Sequence, residues 1–249
     1  MAGIHVSITA EPIFSIFGME ITNSIFTAWV VILVVSILLL TLVTNLSKIP
    51  KGWQAVFELL YNFLYDLSKN ILGARITSQL FPLFLAMFLY ILFGSFFGLL
   101  PSVGTLGVEG EMHGEKAEVV PLFRAITADL NATLALTMVA FVIINAFGIR
   151  AHHGLGYFKR YLNFSNPVNG FVSILEFISE TFVRITSFTF RLFGNIFAGE
   201  VILAVMLSLA GFFVLPFLLF ETFVAFIQAF VFVMLTIVFT AGAVAHDEH

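Results

Sequence analysis

The stretch EFISETFVRITSFTFRLFGNIFAGE, residues 176–200, places five charged side chains inside a long apolar run. A charge at the centre of a membrane helix costs roughly 2.5–3.5 kcal/mol. Steps of three or four residues bring one set of its polar side chains onto a single helical stripe: Glu176, Glu180, Arg184, Ser187, Arg191 and Asn195. Glu200 follows Arg191 by nine residues, about 900° of rotation, and therefore points to the opposite side. The stretch predicts two polar environments separated by an arginine, which is what a two-step ion path needs.

The composition is that of an integral membrane protein. Of the 249 residues, 60% are hydrophobic and 10% are charged, and the mean hydropathy is +1.06. Soluble domains carry about 25% charged residues. The absence of cysteine excludes disulfides, iron–sulfur clusters and thiolate metal sites. The first 24 residues lack the basic segment and short apolar core of a cleavable signal peptide, so the first apolar run is expected to remain as a span.

Five apolar runs are predicted to cross the membrane, at residues 25–46, 80–100, 126–149, 167–209 and 212–245. The fourth is about 40 residues long, which as a helix is twice the hydrocarbon thickness, so it must tilt or lie partly outside the bilayer. Pairing it with the fifth about Gly211 makes a long hairpin in which Glu200 faces Glu221 and Arg191 falls near Gln228. The predicted fold is an all-α integral membrane protein with a long, tilted C-terminal hairpin.

Residues 53–72 have a different pattern. Polar side chains recur at helical spacing on one face, and apolar side chains cover the other. This predicts an amphipathic helix on the membrane surface. A soluble helix packed on a partner is the alternative.

The lysines and arginines favour one orientation. Lys48 and Lys51 follow the first span, and Arg150, Lys159 and Arg160 follow the third. Basic loops stay on the inner side. The acidic loop at residues 101–120 and the N-terminus are therefore expected outside, and the C-terminal tail inside.

Two segments carry a specific resemblance. RLFGNIFAGE, residues 191–200, and FIQAFVFVMLTIVF, residues 226–239, resemble the subunit a family of the F-type ATP synthase. The DLNAT stretch at residues 129–133, the polar C-terminal tail and the order of the spans agree with that family. The resemblance covers most of the chain.

The resemblance implies five spans, a surface helix and a tilted hairpin curved against a ring of c subunits. It implies an ion-translocating stator subunit in the Fo sector that passes protons, or sodium ions in some members, through that ring. Further implied partners are b-type peripheral stalk subunits and membrane lipid, with no nucleic acid. No cofactor or metal is implied, and ATP chemistry belongs to other subunits, since no nucleotide-binding loop is present. The implied location is the inner membrane of a cell or another energy-coupling membrane.

The family's ion path is carried onto the following residues: Arg191 as the essential arginine, Asn195 and Gln228 as its polar neighbours, Glu200, Glu221 and Asp129 in the outer half-channel, and Glu176 and Glu180 in the inner one. This sequence departs from the family at two positions. Many members have histidine where Glu221 stands, and the family often has a basic residue followed by proline where this chain has Arg184 and Ile185.

A guanidinium remains protonated and therefore does not carry a proton itself. It attracts an ionised carboxylate and favours that form. A ring carboxyl that reaches Arg191 is expected to release its proton into the inner route, pass ionised, and take up a proton from the outer route. Glu200 and Glu221 are expected to titrate as a coupled pair.

Structural alternatives exist for several of these residues. They are a pairing of Arg191 with Glu180 or a backbone carbonyl, a proton-sharing structural pair of Glu200 and Glu221, a helix cap at Asp129, and an i+4 pair of Arg184 with Glu180.

Two other classes of membrane protein are disfavoured. A haem-bearing subunit needs axial ligands within spans, and all six histidines lie in loops or tails: His5, His113, His152, His153, His246 and His249. A stand-alone transporter usually has internal repeats, and none is found here. Such a transporter would work alone, whereas a subunit of this family would be inert without its ring.

The expected orientation is tested by single cysteines, which the cysteine-free chain accepts without background. A membrane-impermeant thiol reagent added outside should label Gly110→Cys and not Gly154→Cys, because residues 101–120 are expected outside and 150–165 inside. Labelling of position 154 but not 110 would invert the topology.

Overall fold

The computed structural model describes residues 10–16, 19–44, 46–100, 107–110, 118–152, 157, 167–211 and 214–245. The helices with described bounds are α1 (Asn23–Thr44), α2 (Trp53–Leu99), α3 (Leu130–Ala151), α4 (Pro167–Ile178), α5 (Arg184–Ala210) and α6 (Val214–Val244). A 3-10 turn (Ile126–Ala128) precedes α3, and a π-helical turn (Ser179–Val183) joins α4 to α5.

Within the described ranges, five helical segments are long and apolar enough to cross a membrane: Asn23–Thr44, Trp53–Leu99, Leu130–Ala151, Val168–Leu209 and Val214–Val244. The fourth segment comprises α4, the π turn and α5 in succession and is 42 residues long. The protein is therefore an all-α integral membrane protein, which confirms the fold class predicted from the sequence.

The core lies where α2 and α6 pack together, with α3 and α5 against them. Phe84 and Phe88 of α2 and Ile237 of α6 are fully buried. The first helix is peripheral. Along most of its length α1 leaves large apolar side chains such as Leu33 and Leu40 more than half exposed, as suits contact with lipid or a membrane partner.

The segments predicted as a surface helix and as the second span form one helix, α2, with a kink at Gly73 (φ 77°, ψ 162°). The second part starts directly after Gly73, whereas the sequence pattern places the span at residues 80–100. The difference arises because a single glycine in a conformation closed to other residues makes the bend, and no loop is needed. The kink lets the surface part fold back, so that Tyr61 and Tyr65 stack edge-on against Phe81 at 4.8 and 5.0 Å.

Two β-hairpins lie at the predicted outer end. The strands β1 (Pro12–Ile16) and β2 (Met19–Thr22) pair antiparallel, as do β3 (Gly107–Gly110) and β4 (Glu118–Pro121). Asn23 ties them together, since its backbone N–H donates to the Glu11 carbonyl at 3.0 Å and its side chain donates to the Pro121 carbonyl at 3.4 Å. The sequence pattern predicts a loop at residues 101–120 and no strand before residue 25, because strands of four or five residues show too little alternation to be recognised.

The third span also starts later than its apolar run. The sequence pattern begins at residue 126, whereas α3 begins at Leu130 after the 3-10 turn. Composition does not distinguish a 3-10 turn from the first turn of an α-helix. The predicted basic loop at residues 150–165 and the polar tail after residue 245 lie mostly outside the described residues.

The kink gives a stability prediction. Gly73→Ala should lower the free energy of unfolding by about 1–3 kcal/mol, because alanine is strained at this backbone conformation. Gly242→Ala in α6 is the matched control, since a Cβ there meets no atom within 4 Å. It should stabilise the helix by about 0.5–1 kcal/mol. Thermal unfolding of the purified protein in detergent measures both. Equal unfolding temperatures for the two variants would contradict the strained bend.

Candidate functional site

The side chain of Arg191 is exposed on one face of α5. Arg191, Ser187 and Asn195 are all exposed, whereas Leu192 and Ile196 beside them are 1% and 3% exposed. The helix thus packs its apolar side against the rest of the chain and leaves its polar side open. Within the described part of the chain, Arg191 makes no hydrogen bond and no ion pair.

Glu180 does not provide a counter-charge for Arg191. Instead its Oε1 lies 3.5 Å from Nη2 of Arg184, the i+4 pair considered from the sequence. The guanidinium of Arg184 also lies over the ring of Phe239, 4.2 Å from its centroid. The charge of Arg184 is therefore compensated by an acid and an aromatic ring. Arg191 is the other cation of the stripe, and no described residue compensates its charge.

Gln228 lies on α6 and is buried, 8% exposed. No hydrogen bond joins it to Arg191 among the residues that the structure describes. The two side chains thus occupy different environments, one within the helix packing and the other on the open face of α5.

Glu200 and Glu221 are brought together across the contact between α5 and α6. They line one cavity of about 10 Å³, roughly the size of a single water, with the following residues: Ser95, Gly98, Leu99, Ala125, Ile196 and Ala225. Gly199 makes the contact possible, because a Cβ there would overlap the Glu221 carboxyl. Glu221 is 6% exposed, and its Oε1 has no hydrogen-bond partner among the described residues.

Asp129 serves as the N-cap of α3. Its Oδ1 accepts from the backbone N–H of Asn131 at 2.9 Å, and its Oδ2 accepts from the Ser24 hydroxyl at 2.5 Å. These bonds agree with the capping alternative and tie α3 to the start of α1. Asp129 does not line the cavity of Glu200 and Glu221.

The acids lie on both sides of Arg191 along the helix axis. At 1.5 Å per residue, Glu200 is about 13–14 Å from Arg191 in one direction. Glu180 and Glu176 are about 16 and 22 Å away in the other direction, in the π turn and in α4. Both are half-buried. The structure thus separates the two groups of acids and places the arginine between them.

Arg124 belongs to no motif or polar stripe of the sequence. This side chain is 8% exposed, and its Nη2 donates to the Ala128 carbonyl at 3.3 Å. The next residue, Ala125, lines the cavity shared by Glu200 and Glu221. The position of Arg124 could have indicated this residue, because an arginine at the predicted outer end of a span runs against the usual distribution of basic residues.

The arrangement offers carboxylates, amides and guanidinium groups. Among the described residues, no group of three or more His, Asp or Glu side chains is placed to hold a metal ion. The acids of this arrangement can exchange protons, and Arg191 can attract an anion.

Comparison with known proteins identifies the family. The family model described as ATP synthase A chain matches residues 25–241. The ATP synthase subunit a of Sulfurihydrogenibium sp. (strain YO3AOP1) is 33% identical over 223 residues, which cover 89% of this chain and 97% of that protein. Proteins of the same name from Helicobacter hepaticus (strain ATCC 51449 / 3B1) and Gloeobacter violaceus (strain ATCC 29082 / PCC 7421) are each 34% identical over 247 and 249 residues. They cover 96% and 99% of this chain and 98% and 92% of their own lengths. The chain belongs to the ATP synthase A chain family.

Proposed function

We propose that this chain is the stator subunit that passes protons through a rotating ring of c subunits and so couples a proton gradient to ATP synthesis. The family supports the general function in the membrane sector of an ATP synthase. The observation that carries the finer proposal is Arg191, a permanent cation within a membrane span that the described part of its own chain leaves exposed and unpaired.

An unpaired cation within the hydrocarbon region is costly, so a counter-charge from outside the chain is expected to meet Arg191. A carboxylate on the lipid-facing rim of a ring satisfies this requirement, since it approaches from the membrane side onto which Arg191 opens. The exposed Ser187 and Asn195 widen the polar face toward the same partner. Arg191 favours the ionised form of each ring carboxyl that passes.

Two offset routes follow from the placement of the acids. The proposed outer route uses Glu200 and Glu221, whose shared cavity lies on the packed side of α5, and Asp129 at the outer end of α3. The proposed inner route uses Glu180 and Glu176. A proton moves from one route to the other only by riding on the ring, because the fixed charge of Arg191 opposes direct passage between them.

The distribution of basic residues supports the orientation proposed for this path, with the N-terminus and the β-hairpins outside and the C-terminus cytoplasmic. The apolar face of α1, exposed in this chain, suits lipid or the membrane helices of b-type peripheral stalk subunits. The ring is assigned to a different surface, the polar face of α5 that carries Ser187, Arg191 and Asn195.

Substitution of Arg191 tests the proposal directly. Arg191→Ala should abolish ATP-driven proton pumping by the assembled complex, while ATP hydrolysis by the detached soluble sector persists. Arg191→Lys should also fail, since lysine lacks the planar fork and loses its proton more readily when buried. Arg75→Lys, at an exposed position on α2, is the matched control and should pump normally. Normal pumping by Arg191→Lys would show that Arg191 is not the coupling residue.

The shared outer route is tested by a double-mutant cycle. Glu200→Gln and Glu221→Gln should each slow pumping, and the double variant should lose less than the sum of the two losses in ln(rate), because both residues act on one step. Each single change should also alter the pH dependence, because each removes one member of a coupled titration. Pumping rates are normalised to assembled complex.

Additive losses in this cycle would show two independent sites. Lost assembly with an unchanged pH dependence in the remaining complex would show a purely structural pair. Either outcome contradicts the shared route and leaves the role of Arg191 unaffected.

A further inference from the structure

Ser95 lies near the C-terminal end of α2 and is buried, 2% exposed. A buried serine in a helix often donates its hydroxyl to a carbonyl of its own helix. Ser68 of the same helix does so, since its hydroxyl donates to the Leu64 carbonyl at 2.8 Å. The Ser95 hydroxyl instead lies 3.0 Å from the hydroxyl of Thr127, 32 residues away in the sequence. It is therefore hydrogen-bonded to a neighbouring segment.

Two glycines of α2 allow that segment to come close. A Cβ on Gly98 would overlap Ala125, and a Cβ on Gly94 would lie 3.0 Å from a side chain of the 3-10 turn. Because neither position has a side chain, the turn packs directly against α2. This close packing brings Thr127 of the turn, itself 2% exposed, to the Ser95 hydroxyl.

Ser95 also lines the cavity that Glu200 and Glu221 share. The cavity is lined by Ser95 from α2, by Glu200 from α5 and by Glu221 from α6, and its other lining residues have apolar side chains or none. Glu221 is 6% exposed, and its Oε1 has no hydrogen-bond partner among the described residues. A buried carboxyl oxygen without a partner is costly, so a hydrogen-bonding guest in the cavity is expected to meet it.

The size and the polar groups of the cavity fit one water molecule. A cavity needs about 10–15 Å³ to hold a water, and a buried water makes about three hydrogen bonds. The volume here is about 10 Å³. The carboxyl groups of Glu200 and Glu221 and the Ser95 hydroxyl supply the three partners.

We propose that this cavity binds a single water that joins Glu200 to Glu221, and that Ser95, oriented by Thr127, is the positioning residue that holds this water. The inference rests on the proposed function and adds the means by which a proton crosses between the two acids of the outer route. One carboxyl gives its proton to the water oxygen while a water O–H gives its proton to the other carboxylate. The water is regenerated, and one proton has moved.

A cryo-EM map of the assembled complex, at a resolution that shows ordered water, tests the site itself. In sodium-free buffer, density is expected at hydrogen-bond distance, about 2.5–3.0 Å, from both the Glu221 Oε1 and the Ser95 hydroxyl oxygen. A map with no density between the two acids would overturn the proposal. Density that appears only when sodium ions are added would also overturn it, because the guest would then be a cation.

Removal of the Ser95 hydroxyl tests its role. Ser95→Ala should lower the passive proton conductance of vesicles that contain the assembled membrane sector by about 2–10-fold, the effect of one lost hydrogen bond. Ser68→Ala is the matched control and should conduct normally, because it removes a buried hydroxyl of the same helix that bonds only its own backbone. In a Glu221→Gln background, Ser95→Ala should cost less, since both residues hold one water. Normal conductance in Ser95→Ala would overturn the role of Ser95.

Two substitutions of Thr127 separate hydrogen bonding from packing. Thr127→Val keeps the shape of the side chain and removes the hydroxyl, whereas Thr127→Ser keeps the hydroxyl and removes a methyl group. If the hydroxyl orients Ser95, Thr127→Val should lower the conductance and Thr127→Ser should not. The reverse order would show that these side chains only pack together, which would overturn the positioning role. Should Ser95→Ala prevent assembly, this pair of variants decides the question.

The map and the pumping rates distinguish a failure of this inference from a failure of the proposed function. If Glu200→Gln and Glu221→Gln both pump normally, the proposed outer route fails, and the proton-carrying role of the water fails with it. If both variants slow pumping and the map shows no density in the cavity, the outer route stands and only the water site fails.

Discussion

The energetic cost of an unpaired cation in an apolar helix constrains the arrangement of this protein around Arg191. The described chain buries Leu192 at 1% and Ile196 at 3% exposure on the same helix, and still leaves Arg191 open. The neighbouring cation Arg184 shows the usual solution, an acid one turn away and an aromatic ring beneath it. The described chain thus compensates the charge of Arg184 internally and leaves Arg191 open, in keeping with the partner proposed for it.

Helix geometry places the acids before and after Arg191 in two separate environments. The acids that precede Arg191 lie on its stripe, whereas Glu200, nine residues later, lies half a turn away and meets Glu221 of α6. The small residue Gly199 permits this approach, and Gly98 lines the same cavity from α2. An ion that uses both environments must therefore change its position around the helix as well as along it, which suits transfer by a moving partner.

The sequence predicted those parts of the molecule that depend on periodicity and on spacing within one helix. Apolar runs predict the five helices that are long enough to span a membrane. Steps of three or four residues predict the helix before Gly73 and the exposed polar stripe around Arg191. The meeting of Glu200 and Glu221 follows from the hairpin about Gly211, because one turn relates both helices. The family resemblance, which rests on residues 191–200 and 226–239, is confirmed by the family model.

Features that depend on contacts between distant segments were not predictable in this way. The β-hairpins are too short to show a period, and the 3-10 turn has the composition of the helix it precedes. Arg124 stands outside every periodic pattern, and its neighbour Ala125 reaches the cavity of Glu200 only when the segment before α3 packs against α5. Ser24 belongs to no recognisable sequence motif, yet its hydroxyl donates to the Asp129 carboxylate, 105 residues away in the sequence.

The central claim is that the fixed charge of Arg191 separates two proton routes. Its most direct test is the passive proton conductance of vesicles that contain the assembled membrane sector without the soluble ATPase sector. Arg191→Gln removes the charge and keeps a polar side chain. If the charge separates the two routes, this variant should abolish ATP-driven pumping in the whole complex and leave unchanged or increase passive conductance through the sector. Loss of passive conductance together with pumping, in fully assembled complex, would contradict it, because Arg191 would then be part of a route and not the barrier between two.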